Sequence, residues 1–186
     1  MSLKETEQVY LSLGSNLGDS ISCLRKAIDL ISHIPNVWDV QPSRFFQTSP
    51  VSSIPQNDFI NIAISLKTSL SPKELFSYTN AIEKKLGKIP KSKEEPRHID
   101  IDIILFGSYY SEDKELTLPH PHWTKRLFVL IPLLDLVSKI EVPLSKTESK
   151  NVFLQDYVEG LQKQTNDFVS EFIPSPRSNE GIDIKD

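Results

Sequence analysis

Apolar and polar positions alternate in three stretches of the chain and recur at helical spacing between them. Val9, Leu11 and Leu13 share one face of Gln8 to Leu13, the period of two that marks a strand. Ile60, Ile62, Ile64 and Leu66 share one face of Phe59 to Lys67, with Phe59, Asn61, Ala63, Ser65 and Lys67 on the other. Ile99, Ile101, Ile103 and Leu105 line a third strand, and a fourth is expected over Trp38 to Gln47. Ile21, Leu24, Ile28 and Ile31 fall at helical spacing, ending near His33 before Pro35. Ser71-Pro72-Lys73-Glu74 places a cap, a first-turn proline and a capping-box glutamate at the head of a second helix. Leu75, Ile82 and Leu86 form its buried stripe, and Gly87 is its stop.

The order is strand, helix, strand, strand, helix, strand. That is the split βαβ pattern of a ferredoxin-like α+β sandwich, a largely antiparallel sheet with helices on one face. The other face is left for a ligand. Further on, Leu116 to Leu118 reads as a short edge strand, and Thr124 to Leu130 as a third helix limited or restarted by Pro132. After Pro143 the pattern thins. Leu154, Tyr157, Val158 and Leu161 predict one more amphipathic helix. The expected division is a domain over residues 1–143, a helical extension over 144–172 packed on or beside it, and a disordered tail over 173–186.

Period two places Asp100 and Asp102 together on the face opposite the isoleucines, about 7 Å apart along the strand. Carboxylates so placed repel unless solvent screens them or a cation lies between. Mg²⁺ takes hard oxygen ligands and often shares them with substrate phosphates. A solvated strand face and a cation site both remain open on these residues alone. Arg97, leading in after Pro96, favours the second.

Composition narrows the classes. A chain of 186 residues, 38% hydrophobic and 25% charged, suits one soluble domain. A net charge of −4 argues against a general nucleic-acid binder. Cys23 is the only cysteine, which excludes an internal disulfide and a cysteine-based zinc site. With no apolar run long enough for a membrane span and no signal-peptide core after Met1, a cytoplasmic location is expected.

Neither a Walker A loop nor G-x-G-x-x-G occurs, so a phosphate site would need side-chain cations. Lys88, Lys91, Lys93 and Arg97 are grouped in one charged loop, and Arg126 lies near the third helix. Lysines in such a loop also serve solubility alone. His98, His120 and His122 with Asp100 are weak evidence for zinc, because strand-borne oxygen ligands favour Mg²⁺. Cys23 reads as inert packing, and Trp38 and Trp123 fit core or pocket equally.

Taken together, several stretches resemble the hydroxymethyl-dihydropterin pyrophosphokinase family from about Val9 to Pro143. They are Leu13-Gly14-Ser15-Asn16-Leu17-Gly18-Asp19, Phe59-Ile60-Asn61, Pro96-Arg97 with Asp100-x-Asp102, Leu118-Pro119-His120-Pro121, and Arg126-Leu127-Phe128-Val129-Leu130-x-Pro132-Leu133. Each is weak alone; their order and spacing are specific. The resemblance implies the ferredoxin-like fold and transfer of pyrophosphate from ATP to the hydroxymethyl group of a reduced pterin, releasing AMP. It implies that Asp100 and Asp102 hold two Mg²⁺ ions on the ATP phosphates. Arg97, Lys91, His120 and Arg126 match positions that hold the triphosphate or its developing charge. Phe59 and Phe128 match the aromatics that sandwich the pterin, and Asn61, with the backbone around Thr48 and Val51, matches its polar edge. Glu83, Lys88, Ile103 and Thr117, again with His120, are assigned to the nucleotide.

The implied partners are ATP and 6-hydroxymethyl-7,8-dihydropterin, with a monomer expected and neither nucleic acid nor membrane. Lys88, Pro90 and Glu95 depart from the family pattern, which places the strength of the phosphate-gripping loop in question. The rival reading is a non-catalytic pterin or nucleotide sensor on the same scaffold. An RNA-binding sheet of this topology fits poorly with the acid pair.

Overall fold

The computed structural model describes residues 5–50, 55–87, 96–165 and 167–174. Its elements are β1 (Glu7–Ser15), α1 (Ser20–Ser32), β2 (Val37–Pro42), β3 (Phe45–Thr48), β4 (Phe59–Thr68), α2 (Pro72–Lys85), β5 (Asp100–Phe106), β6 (Ser111–Asp113) and β7 (Leu116–Leu118). A 3₁₀ turn (Trp123–Lys125) then leads to α3 (Leu127–Leu136), β8 (Lys139–Pro143), β9 (Ser149–Phe153), α4 (Leu154–Gln162) and β10 (Val169–Phe172).

Six strands form the main sheet in the order β10-β3-β4-β1-β5, with β2 also on β4. All its pairings are antiparallel. The central β5-β1-β4-β3 order, with α1 and α2 on one face, is the ferredoxin-like arrangement the element order implies. Val9, Leu11 and Leu13 of β1, Ile60 to Leu66 at even positions of β4, and Ile101 and Ile103 of β5 meet Leu24, Ile31, Leu75 and Ile82 of the two helices there.

Both helices start as their sequences dictate. Asp19 caps α1 by accepting from the Ser22 N–H at 2.9 Å. Ser71 and Glu74 complete a capping box on α2, and Gly87 follows the helix at φ +92°.

The structure corrects the pattern in three places. The strand expected over Trp38 to Gln47 is two. Its register on β4 shifts between Trp38 and Gln41, Asp39 has a φ of 55°, and Pro42 has no N–H for a ladder. Ser43 carries the chain across the break, donating its N–H to Ala63 O and accepting the Ala63 N–H on Oγ, both at 2.9 Å. The strand Ile99 to Leu105 does not keep one alternation. A bulge against Tyr10 and Leu11 leaves Ile104 unpaired, so Phe106 joins the helix-side core and Leu105 the opposite one. The third helix begins at Leu127 and runs through Pro132, because Arg126 is extended and only the Phe128 carbonyl loses its helical donor.

α3 therefore fills half of the sheet's second face, packing Val129, Leu130 and Leu133 with Ala63, Ile104 and Leu105. Gly14, Asn61 and Asp100, on β1, β4 and β5, lie outside that apolar cluster. After Pro143, which itself pairs with Ser149, the chain forms β9, lays α4 on α3, and returns β10 to the sheet beside β3. Ile173 is 81% exposed, and residues 175–186 lie outside the described residues.

Candidate active site

On this second face, one row of directly opposed residues crosses the sheet. Asp100 of β5 faces Gly14 of β1, Gly14 faces Asn61 of β4, and Asn61 faces Phe46 of β3. The parallel row sets Asp102 against Ser12 and Ser12 against Ala63. Two strand spacings separate Asp100 from Asn61, about 10 Å. The carboxylate end and the amide end of the site thus share one rigid sheet.

At the carboxylate end, Arg97 Nη1 lies 2.6 Å from Asp100 Oδ2, both side chains about a quarter exposed. Asn16 places Arg97: its Oδ1 accepts the Arg97 N–H at 2.8 Å, and the Asn16 and Leu17 N–H groups donate to the Arg97 carbonyl. The Asn16 amide also donates to Gln56 Oε1 at 2.8 Å and to Asn57 O at 3.1 Å. One buried side chain therefore joins the 14–18 loop, the lead-in to β4 and the lead-in to β5.

Among the described residues no group of three or more His, Cys, Asp or Glu side chains forms a metal cluster. A cation on Asp100 and Asp102 would complete its shell from substrate oxygens and water, which suits Mg²⁺.

At the amide end, Asn61 Nδ2 donates to Thr48 Oγ1 at 2.7 Å, and both residues are buried. Phe59 pairs with Thr48 in register and stays partly exposed. Gly14 is required here: a Cβ on it would lie 2.5 Å from Asn61 Oδ1 and 3.6 Å from Phe59 Cδ1. At the start of α3, the Arg126 guanidinium lies 5.6 Å from the centroid of the Phe128 ring.

His120 follows the cis Leu118–Pro119 bond and is held to β5 by its N–H on Ile104 O at 2.9 Å. Burial, then the charge of Arg126 and the neighbouring His122, lower its pKa to about 4, against the pull of Asp100. It is neutral at pH 7.

The structure thus brings together Arg97, Asp100 and Asp102, and separately Thr48, Phe59 and Asn61, with Arg126 beside Phe128. Other candidates sit differently. Glu83 is 3% exposed, and its carboxylate accepts the Ile101 N–H at 2.7 Å, an internal link from α2 to β5. The Ile103 side chain lies in the helix-side core, so only its backbone is left for a nucleotide. Thr117 Oγ1 donates to Asp113 O at 3.0 Å. Val51, Lys88 and Lys91, with Pro90 and Glu95, lie outside the described residues. Sequence reasoning missed Gly14, Asn16 and Gln56 as site residues. A glycine ending a strict alternation was the available signal for the first; Asn16 stood in the Leu13–Asp19 stretch that carries the resemblance, and Gln56 had none beyond a turn-rich composition.

The class is an α+β sandwich that carries paired carboxylates and an arginine at one end of a sheet face and an aromatic beside a polar pair at the other. The comparisons give the family. The model of 7,8-dihydro-6-hydroxymethylpterin-pyrophosphokinase matches residues 10–138, and the chain belongs to that family. The 2-amino-4-hydroxy-6-hydroxymethyldihydropteridine pyrophosphokinase of Bacillus subtilis is 38% identical over 140 residues, 75% of this chain and 84% of that protein. The bifunctional protein FolKE of Lactococcus lactis subsp. cremoris is 39% identical over 132 residues, 71% of this chain but 38% of its own length. A solved Plasmodium falciparum HPPK-DHPS structure shares the fold at a TM-score of 0.66 and 14% identity, covering 88% of this chain and 47% of that one.

Proposed function

We propose that this chain transfers the pyrophosphoryl group of ATP to the hydroxymethyl oxygen of 6-hydroxymethyl-7,8-dihydropterin in folate biosynthesis, releasing AMP. The observation that supports it, beside family membership, is the row Asp100–Gly14–Asn61 with Asp102 in the next row, which sets an acid pair and an amide on one face. Mg²⁺ on Asp100 and Asp102 would neutralise the ATP phosphates and polarise the bond to be broken.

The chain's own residues align the partners. Phe59 and Phe128 take the ring faces, while Asn61 and Thr48 take the polar edge. The substrate hydroxyl oxygen bonds to the β-phosphorus and gives up its proton to water, and the bond from that phosphorus to the α-phosphate oxygen breaks, leaving AMP. Arg97 and Arg126 hold the charge that shifts to the leaving AMP. His120, neutral at pH 7, offers a hydrogen bond without adding charge. Two Mg²⁺ ions bound with ATP, a monomeric state and a cytoplasmic location are carried by the family resemblance. Among the described residues no helix is long and apolar enough to cross a membrane.

Incubation with ATP, Mg²⁺ and the pterin, followed by nucleotide analysis, tests the proposal. AMP in step with pterin consumption is expected. ADP would indicate single phosphoryl transfer, and unchanged ATP would favour a sensor on the same scaffold.

A further inference from the structure

The family match ends at residue 138, yet the chain returns to the site after it. β10 pairs along the whole of β3, with Val169 opposite Thr48 and Glu171 opposite Phe46, which is itself opposite Asn61. One residue beyond Thr48, the Ser49 N–H donates to Phe168 O and the Phe168 N–H donates to Ser49 Oγ, each at 3.1 Å. This closes the ladder where the chain departs toward β4. Arg44 then ties three elements: its guanidinium meets Asp135 of α3 and Glu171 of β10, each at 2.5 Å. Val169 packs against the same apolar cluster as Phe128.

We propose that β10 is a positioning strand for the pterin wall. It fixes the backbone that carries Thr48 and, through Arg44 and Asp135, the helix that carries Phe128. Without it, β3 is a four-residue edge strand held from one side only, too short to keep its register firmly. The phosphate end is insulated from this effect. Asp100 and Asp102 lie on β5, at the opposite edge of the sheet, with β4 and β1 between β3 and β5. A general loss of fold would weaken both ligands; loss of this buttress weakens the pterin selectively.

The inference rests on the pyrophosphokinase reading, and the test separates the two. The full chain is compared with a chain ended after Gln164 and with Glu171→Lys and Glu171→Gln. For each, binding of the α,β-methylene analogue of ATP with Mg²⁺ is measured, then binding of 6-hydroxymethyl-7,8-dihydropterin at saturating analogue. The truncation is expected to raise the pterin Kd about tenfold and leave the analogue Kd within about twofold. Glu171→Lys, which sets a cation against Arg44, is expected to raise the pterin Kd about threefold, and Glu171→Gln to restore it. Should the truncated chain fail to fold, the Glu171 pair decides. An unchanged pterin Kd in folded variants, or a proportional loss of both ligands, overturns the inference. A full chain that makes no AMP overturns the underlying reading instead.

Discussion

A methyl group on residue 14 would stand 2.5 Å from Asn61 Oδ1, closer than any side chain tolerates, with Phe59 just behind. Gly14→Ala should therefore push the Asn61 amide off its bond to Thr48. Overpacking of this kind costs about 1–3 kcal/mol in stability. The pterin KM is expected to rise far more than the ATP KM, as steady-state kinetics would show; equal rises would mean that the residue serves only the fold. At the carboxylate end, Asp100→Asn or Asp102→Asn removes a charged ligand from the proposed cation site. The loss should be on the order of 3 kcal/mol of transition-state stabilisation, about a hundredfold in turnover, with an unchanged melting profile. Near-normal turnover at saturating Mg²⁺ would refute the assignment. These carboxylates were legible in the sequence because a period of two needs only neighbouring residues. Asn16 was not: its partners Gln56, Asn57 and Arg97 are brought to it by two separate loops.

Elements with strong local signals were read where they stand. α2 is the clearest case, since Ser71, Pro72 and Glu74 specify its start and Gly87 its end within the same short stretch of chain. Ser71→Ala removes both the acceptor for the Glu74 N–H and the hydroxyl bond to its carboxylate. About 1 kcal/mol of stability should be lost. Denaturant unfolding would measure it, and turnover at 25 °C should not move because the site lies across the sheet from this helix. Elements that depend on tertiary partners were legible only in part. The break at Ser43 exists because Ala63 accepts and donates across it. The bulge at Ile104 turns Leu105 toward α3, which an alternation drawn from isoleucines alone could not show. β10 is four residues long and carries no pattern of its own; it is a strand because β3 offers it an edge.

At the scale of the molecule, Asn16 bridges the two ends of the site. Its acceptor fixes Arg97 beside Asp100, while its two donors hold Gln56 and Asn57, which lead into Phe59 and Asn61. On the proposed assignment, nucleotide held by Arg97 and pterin held by Phe59 would order the same buried amide. Each ligand then binds more tightly once the other has fixed it, and the effect is reciprocal. Coupling of this type spans roughly 1–3 kcal/mol, a five- to 150-fold gain in affinity. Calorimetric titration of the pterin with and without a non-hydrolysable ATP analogue measures it directly. Gln56→Ala removes one Asn16 bond from the pterin side and leaves Arg97 untouched. It should shrink the gain to within about threefold while the analogue alone binds as before. The same ratio in the variant and the original chain would show that the two ligands are coupled by another route.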